Sequence, residues 1–171
     1  MQKIPYYPLD RINAVYGDAF TTAFSSVLQS GWFIRGKENL AFEQNFASFC
    51  GAKHCVGVGN GLEALSLILK AYIALGVLKK NDKVIVPATT FVATWLAVRA
   101  AGLEPLPAEV SESDSLLTRE GVLSVWNSEV KAVIAVHLYG KLAPMESLEQ
   151  LAKEKGFLLI EDAAQAHGAI R

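Results

Sequence analysis

The run Leu159-Ile160-Glu161-Asp162-Ala163-Ala164-Gln165-Ala166-His167-Gly168 places two carboxylates, a glutamine and a histidine at the end of an apolar segment. Apolar residues that stop at a polar tip are what a parallel strand shows where it meets the carboxyl edge of its sheet. That edge is where α/β proteins bind ligands. A carboxylate beside a buried strand must be paired or hydrogen-bonded, because an ionised group is costly to bury bare. Asp162 therefore suits the protonated nitrogen of a bound heterocycle; its plainer role is to cap a helix that follows. Gln165 can bond the same ligand or face solvent. His167 lies in the same loop.

Three other segments carry residues that suit chemistry at such an edge. Gly57-Val58-Gly59-Asn60-Gly61-Leu62 brings glycines and an N-capping asparagine to the start of an apolar run. Free N–H groups at Asn60, Gly61 and Leu62 would face an anion there, and an ordinary strand-to-helix turn reads equally well. A dinucleotide fingerprint needs glycine where Leu62 stands and an acidic residue where Val86-Pro87 stands, so a nicotinamide-type fold is disfavoured. Phe91, among Thr89, Thr90 and Thr94, can stack on a planar ligand, although a core aromatic is the commoner reading. His137 follows a β-branched run; a lone histidine without a visible partner is more often structural than a general acid or base. Gly31-Trp32-Phe33-Ile34-Arg35-Gly36-Lys37-Glu38 imitates a phosphate loop, but Glu38 replaces the hydroxyl that holds magnesium.

The elements that must position these residues alternate. Ile12, Val15, Phe20, Ala23, Phe24 and Val27 recur at helical spacing, as do Phe42, Phe46 and Phe49. Cys55–Val58 reads as a first strand. Gly61–Gly76 reads as a long apolar helix capped by Asn60. Strands follow at Lys83–Val86, Glu104–Ala108, Ala132–Val136 and Phe157–Ile160. Helices fall between them at Phe91–Ala101, Thr118–Trp126 and Pro144–Lys155. Two prolines in Glu104–Ala108 point to an edge or a bulge. This order predicts an α/β fold, a mainly parallel sheet with helices on both faces and all strand-to-helix loops on one edge. The reading is one domain over 1–171, with a helical segment to about residue 50 and an α/β core from about residue 51.

Composition narrows the function classes. The 171 residues carry 16 Lys plus Arg and 17 Asp plus Glu, a net charge of −1, and nothing in that balance favours nucleic acid or an acidic membrane. Met1–Pro8 has no apolar leader segment. Leu62–Leu78 is interrupted by Glu63 and Lys70 and reads as a buried helix, not a membrane span. Cys50 and Cys55 suit a reducing cytoplasm, as packing thiols. With His54 they fall short of a zinc set, so no metal is expected.

Taken together, these segments resemble the DegT/DnrJ/EryC1/StrS sugar aminotransferases of the aspartate-aminotransferase fold type. The stretches that carry the resemblance are Ser30–Gly36, Val58–Leu65, Val84–Thr94, Val136–Gly140 and Ile160–Gly168, in the family's order. The Gly-Asn-Gly-Leu-Glu-Ala-Leu form is most similar to enzymes that aminate C3 of a dTDP-linked keto-6-deoxyhexose. The resemblance implies the N-terminal part of the large domain of a fold type I enzyme, with pyridoxal 5′-phosphate or pyridoxamine 5′-phosphate as cofactor. Gly61 and Leu62 would offer N–H groups to its phosphate, Phe91 would stack on its ring, Asp162 would pair with the ring nitrogen, and Gln165 would lie beside the phenolic oxygen. Asn60, His137 and Tyr139 would support these residues from behind. The implied partners are a nucleotide-sugar substrate, an amino-acid donor (typically glutamate) and a second copy of the protein. Ala108-Glu109 stands where many members carry Asp.

The family's Schiff-base lysine follows Gly168 by roughly twenty residues, beyond Arg171, so no catalytic lysine is expected in this chain. The chain alone is then expected to be inactive, with exposed apolar faces that drive association. Lys141 is the nearest lysine by topology, and nothing in the family places the amine there. The competing readings are a non-catalytic cofactor-binding or assembly module of the same fold, and the disfavoured nicotinamide-binding domain.

Overall fold

The computed structural model describes residues 4–170. The first three residues of the stretch read as lacking a leader lie outside them. The chain divides into two compact units, Met1–Gly57 and Val58–Arg171. Among the described residues, no helix is long and apolar enough to cross a membrane.

The first unit is helical. Its apolar positions recur every three or four residues, which gives α1 (Leu9–Ser30) and α2 (Lys37–Phe49). Gly31, at φ 63°, ends α1 in the left-handed conformation that favours glycine. In α2, Phe42 and Phe46 stack with centroids 5.5 Å apart. No described residue of α1 is buried. Residues 54–58 form no strand, contrary to the reading of Cys55–Val58. The Gly57 N–H donates to Glu43 Oε1 at 2.8 Å, so a side chain takes the donor that a sheet ladder would need. That bond, with Asn39 adding a second, holds the Glu43 carboxyl below the usual carboxylate range. Cys50 is exposed and Cys55 half-buried, so at least Cys50 is no packing thiol; it is the C-cap residue of α2, beyond the last helical turn.

The second unit is a four-stranded parallel sheet. Its strands are β1 (Lys83–Pro87), β2 (Glu104–Ala108), β3 (Val130–Val136) and β4 (Leu158–Asp162), in the spatial order β2-β1-β3-β4. β2 is an edge strand, where prolines are tolerated because one row of N–H groups has no ladder to complete. Side chains alternate across the sheet. Val84, Val86, Ala132, Ile134, Val136 and Ile160 pack on one face against Leu65 and Leu69 of α3 (Gly61–Ala74) and Ala97 and Val98 of α4 (Val92–Ala100). Ile85, Val133 and Ala135 pack on the other face against Val122 of α5 (Arg119–Val125) and Leu148 and Leu151 of α6 (Met145–Lys155). Continuous apolar runs in β1 and β3 follow from this double burial.

Gly121, buried in the first turn of α5, faces the chain just after β2. A Cβ there would lie 2.3 Å from the Glu109 carbonyl oxygen, so backbone would have to move. Gly121→Ala is expected to destabilise the unit by about 1–3 kcal/mol, the usual cost of overpacking. Urea unfolding measures this; a midpoint equal to that of the parent chain contradicts the packing described.

Candidate functional site

Three strand ends build the site: β1 ends at Pro87, β3 at Val136 and β4 at Asp162. From β1 the chain goes to β2 on one side, yet β3 lies on β1's other side, so the winding reverses between β1 and β3. A crevice forms outside the carboxyl ends at such a reversal. A hollow of about 360 Å³ lies there, lined by Asn60, Gly61, Leu62, Thr90, Phe91, Ala93, Val136, Leu138, Asp162, Ala164 and Gln165. The five residues read as cofactor-binding, Gly61, Leu62, Phe91, Asp162 and Gln165, thus share one cavity with Asn60. His137 is not among the lining residues.

One end of the hollow is the start of α3. Asn60 is its N-cap, and its side-chain oxygen accepts from the Glu63 N–H at 3.0 Å. The Glu63 carboxylate in turn accepts from the Gly59 N–H at 3.0 Å. This is a capping box displaced by one residue. It leaves the N–H groups of Gly61 and Leu62, which have no carbonyl to reach within the helix, directed out of the helix start. The helix dipole adds a positive end at the same point, so the site favours an anion. Gly61 also packs close to the Asp162 loop: a Cβ on it would lie 3.7 Å from the Ala164 Cβ.

Phe91 is the N-cap residue of α4, in extended conformation at φ −68° and ψ 140°. It stands outside the helix and beyond the sheet edge, and 67% of it is exposed. It is therefore not the core aromatic that its type alone favours. Its ring offers a face to a planar group.

Asp162 takes a different set of partners from the helix cap considered above. No α-helix follows it among the described residues. Its Oδ1 accepts from the Ala164 N–H at 3.2 Å, and its Oδ2 accepts from the Thr94 hydroxyl at 3.2 Å. Thr94 is fully buried and 68 positions away in sequence, a partner that no local pattern marks. Gln165 is exposed, and its Oε1 accepts from the Tyr139 N–H at 2.7 Å. Tyr139 adopts a left-handed conformation, φ 55° and ψ 24°, within a short 3-10 turn at Leu138–Gly140. That geometry costs a non-glycine residue on the order of 1 kcal/mol, and the Gln165 bond helps hold it.

His137 is buried behind the hollow. Its Nδ1 accepts from the Ala143 N–H at 3.1 Å, which leaves Nε2 to donate to Glu161 Oε2 at 3.0 Å. The His137 backbone N–H also donates to the Asp162 carbonyl at 3.0 Å. Its partner, Glu161, is the carboxylate that precedes Asp162, and the two point to opposite faces of β4. Among the described residues, no group of three His, Cys, Asp or Glu side chains is placed to hold a metal.

The lining thus supplies N–H donors for an anion, an aromatic face and a carboxylate for a cationic N–H. A model of the DegT/DnrJ/EryC1/StrS aminotransferase family matches residues 16–171. The chain belongs to this family. The proteins it is similar to include dTDP-3-amino-3,6-dideoxy-alpha-D-galactopyranose transaminase of Aneurinibacillus thermoaerophilus. That protein is 45% identical over 168 residues, which are 98% of this chain and 45% of the relative. Solved structures superpose on the same architecture. S. venezuelae DesV, in complex with a ketimine intermediate, matches at a TM-score of 0.91 and 38% identity, over 98% of this chain and 44% of DesV. NtdA from Bacillus subtilis, with bound cofactor PMP, matches at a TM-score of 0.87 and 29% identity, over 98% of this chain and 38% of NtdA. The chain therefore spans under half the length of each.

Lys141 lies close in sequence to the Tyr139 turn but does not line the hollow. Its Nζ is 2.8 Å from Asp114 Oδ2. The ammonium, with Ser111 as a second donor, holds the Asp114 carboxyl below the usual carboxylate range. A lowered folded-state value means that the pair stabilises the fold above the unfolded pKa, and that this contribution is lost as pH falls through the folded one. Lys141→Met is expected to raise the Asp114 titration midpoint, read by NMR of its side-chain carboxyl, and to remove that acid-side contribution. An unchanged midpoint contradicts the pairing.

Proposed function

We propose that the hollow binds pyridoxal 5′-phosphate or pyridoxamine 5′-phosphate. We further propose that the protein containing this chain moves an amino group from an amino acid, glutamate, to a keto group of a nucleotide-linked deoxysugar. The observation that carries this reading is the convergence of a helix start, an exposed phenyl ring and a carboxylate on one hollow, in a chain of this aminotransferase family. The name of the Aneurinibacillus relative supports C3 of a dTDP-linked 6-deoxyhexose as the position aminated.

The chain's own residues have separable tasks in this reading. Gly61 and Leu62 bind the phosphate through their N–H groups, and Asn60 and Glu63 keep that helix start in place. Phe91 covers one face of the ring and excludes water from it. Asp162, oriented by its two donors, pairs with the ring nitrogen and keeps the proton there. Because Gln165 Oε1 already accepts from Tyr139, its NH₂ is left to donate, which suits the phenolic oxygen of the ring. When bound, the cofactor supplies the carbon that carries the amino group and a protonated ring that draws electrons away from it. Among the described residues, no lysine lines the hollow, and this chain alone is expected to hold the cofactor reversibly and to be inactive. The protein is read as a cytoplasmic homodimer, supported by free cysteines and by the exposed Phe20, Phe24 and Leu28 of α1.

Titration of the chain with pyridoxamine 5′-phosphate tests the site. The parent chain is expected to bind, and Asp162→Asn to lose about ten-fold or more in affinity, the worth of one charge-assisted hydrogen bond. Binding unaffected by Asp162→Asn would put the ring elsewhere. The protein containing the chain, given glutamate and a dTDP-3-keto-6-deoxyhexose, is expected to yield the amino sugar and 2-oxoglutarate. Formation of neither product overturns the activity.

A further inference from the structure

A hydroxyl enclosed by apolar side chains is costly unless it is hydrogen-bonded, and it has one proton to give. Thr94 is such a hydroxyl: it is fully buried, on a helix whose other buried residues, Ala97 and Val98, pack into an apolar cluster. Its proton goes to Asp162 Oδ2 at 3.2 Å. Its oxygen lies 3.1 Å from the Thr90 hydroxyl. With the Thr94 proton spent on the carboxylate, only Thr90 can donate in that second bond. The result is a directed chain, Thr90 to Thr94 to Asp162, that starts at a residue lining the hollow.

From this geometry we propose that Thr94, backed by Thr90, is the positioning residue that sets the plane of the Asp162 carboxylate toward the ring nitrogen of the bound cofactor. The inference rests on the cofactor reading of the hollow given above. A carboxylate turns about its last torsion with a broad, two-fold preference, so the backbone alone does not set its plane. Two donors on opposite oxygens do: the Ala164 N–H on Oδ1 and the Thr94 hydroxyl on Oδ2. Each oxygen keeps a further lone pair for a ligand. Packing does not require threonine here, since valine has nearly the same shape and would suit the apolar surroundings. Asp162 is half-buried, so water can replace the lost donor in the free protein without restoring the plane.

The test uses pyridoxamine 5′-phosphate labelled with ¹⁵N in its ring, bound to the parent chain and to Thr94→Ser, Thr94→Val and Thr90→Val. Thr94→Ser keeps the hydroxyl and is expected to match the parent in affinity and in ring-nitrogen chemical shift. Thr94→Val is expected to weaken binding by about ten-fold, the usual worth of a hydrogen bond to a charged group. It should also move the ring-nitrogen resonance toward the unprotonated position, with an unchanged urea midpoint. Thr90→Val is expected to move it in the same direction by less. A ring-nitrogen signal that stays at the parent position in Thr94→Val overturns the proposal. If the parent chain does not bind the cofactor at all, the reading of the hollow fails instead. The relay is then decided by the Asp162 Cγ resonance of the free chain, which Thr94→Val should move and Thr94→Ser should not. An Asp162 Cγ signal indifferent to both variants overturns it.

Discussion

Parallel strands cannot be joined by tight turns; each return needs a crossover, and crossovers of one hand bring every strand end to the same edge. The hollow depends on that constraint. β1, β3 and β4 end side by side at Pro87, Val136 and Asp162, and the winding reverses between β1 and β3. The reversal sends the following helices to opposite faces of the sheet and leaves a crevice that no helix fills. Residues from four distant parts of the chain meet there without any local sequence feature pulling them together.

The two ends of the crevice are opposite in charge and are made by different means. At one end the peptide groups do the work, since the start of α3 carries a partial positive charge and two N–H groups with no internal partner. Asn60 and Glu63 satisfy the neighbouring donors and stop short of these two. At the other end a formal negative charge sits on Asp162, fixed by a main-chain donor and a buried hydroxyl. His137 braces the same strand end from behind, with both ring nitrogens and its own N–H engaged. A ligand with an anionic tail and a cationic ring is matched end to end, and one with the opposite polarity is repelled at both.

Much of this arrangement was legible in the sequence because it is local. Apolar runs of four or five residues marked β1 to β4, and the prolines of β2 marked an edge. Asn60 marked the helix start. The error at Cys55–Val58 came from reading an apolar run without its competitor, the Glu43 carboxylate fourteen positions earlier, which takes the Gly57 N–H. Phe91's type alone favours the core, but its place before the first turn of α4 carries it past the sheet edge to the hollow. The partners of His137 and Asp162 were not legible at all. Glu161 lies 24 positions from His137, and Thr94 lies 68 from Asp162; only strand order and register bring them together.

The orientation of the cofactor in the hollow is the claim on which the rest turns, and a crystal structure of this chain with pyridoxamine 5′-phosphate tests it most directly. The account predicts density for the phosphate within hydrogen-bond distance of the Gly61 and Leu62 nitrogens, the ring against Phe91, and the ring nitrogen against Asp162. Phosphate density at any other place, or a ring turned so that its nitrogen faces away from Asp162, would contradict it.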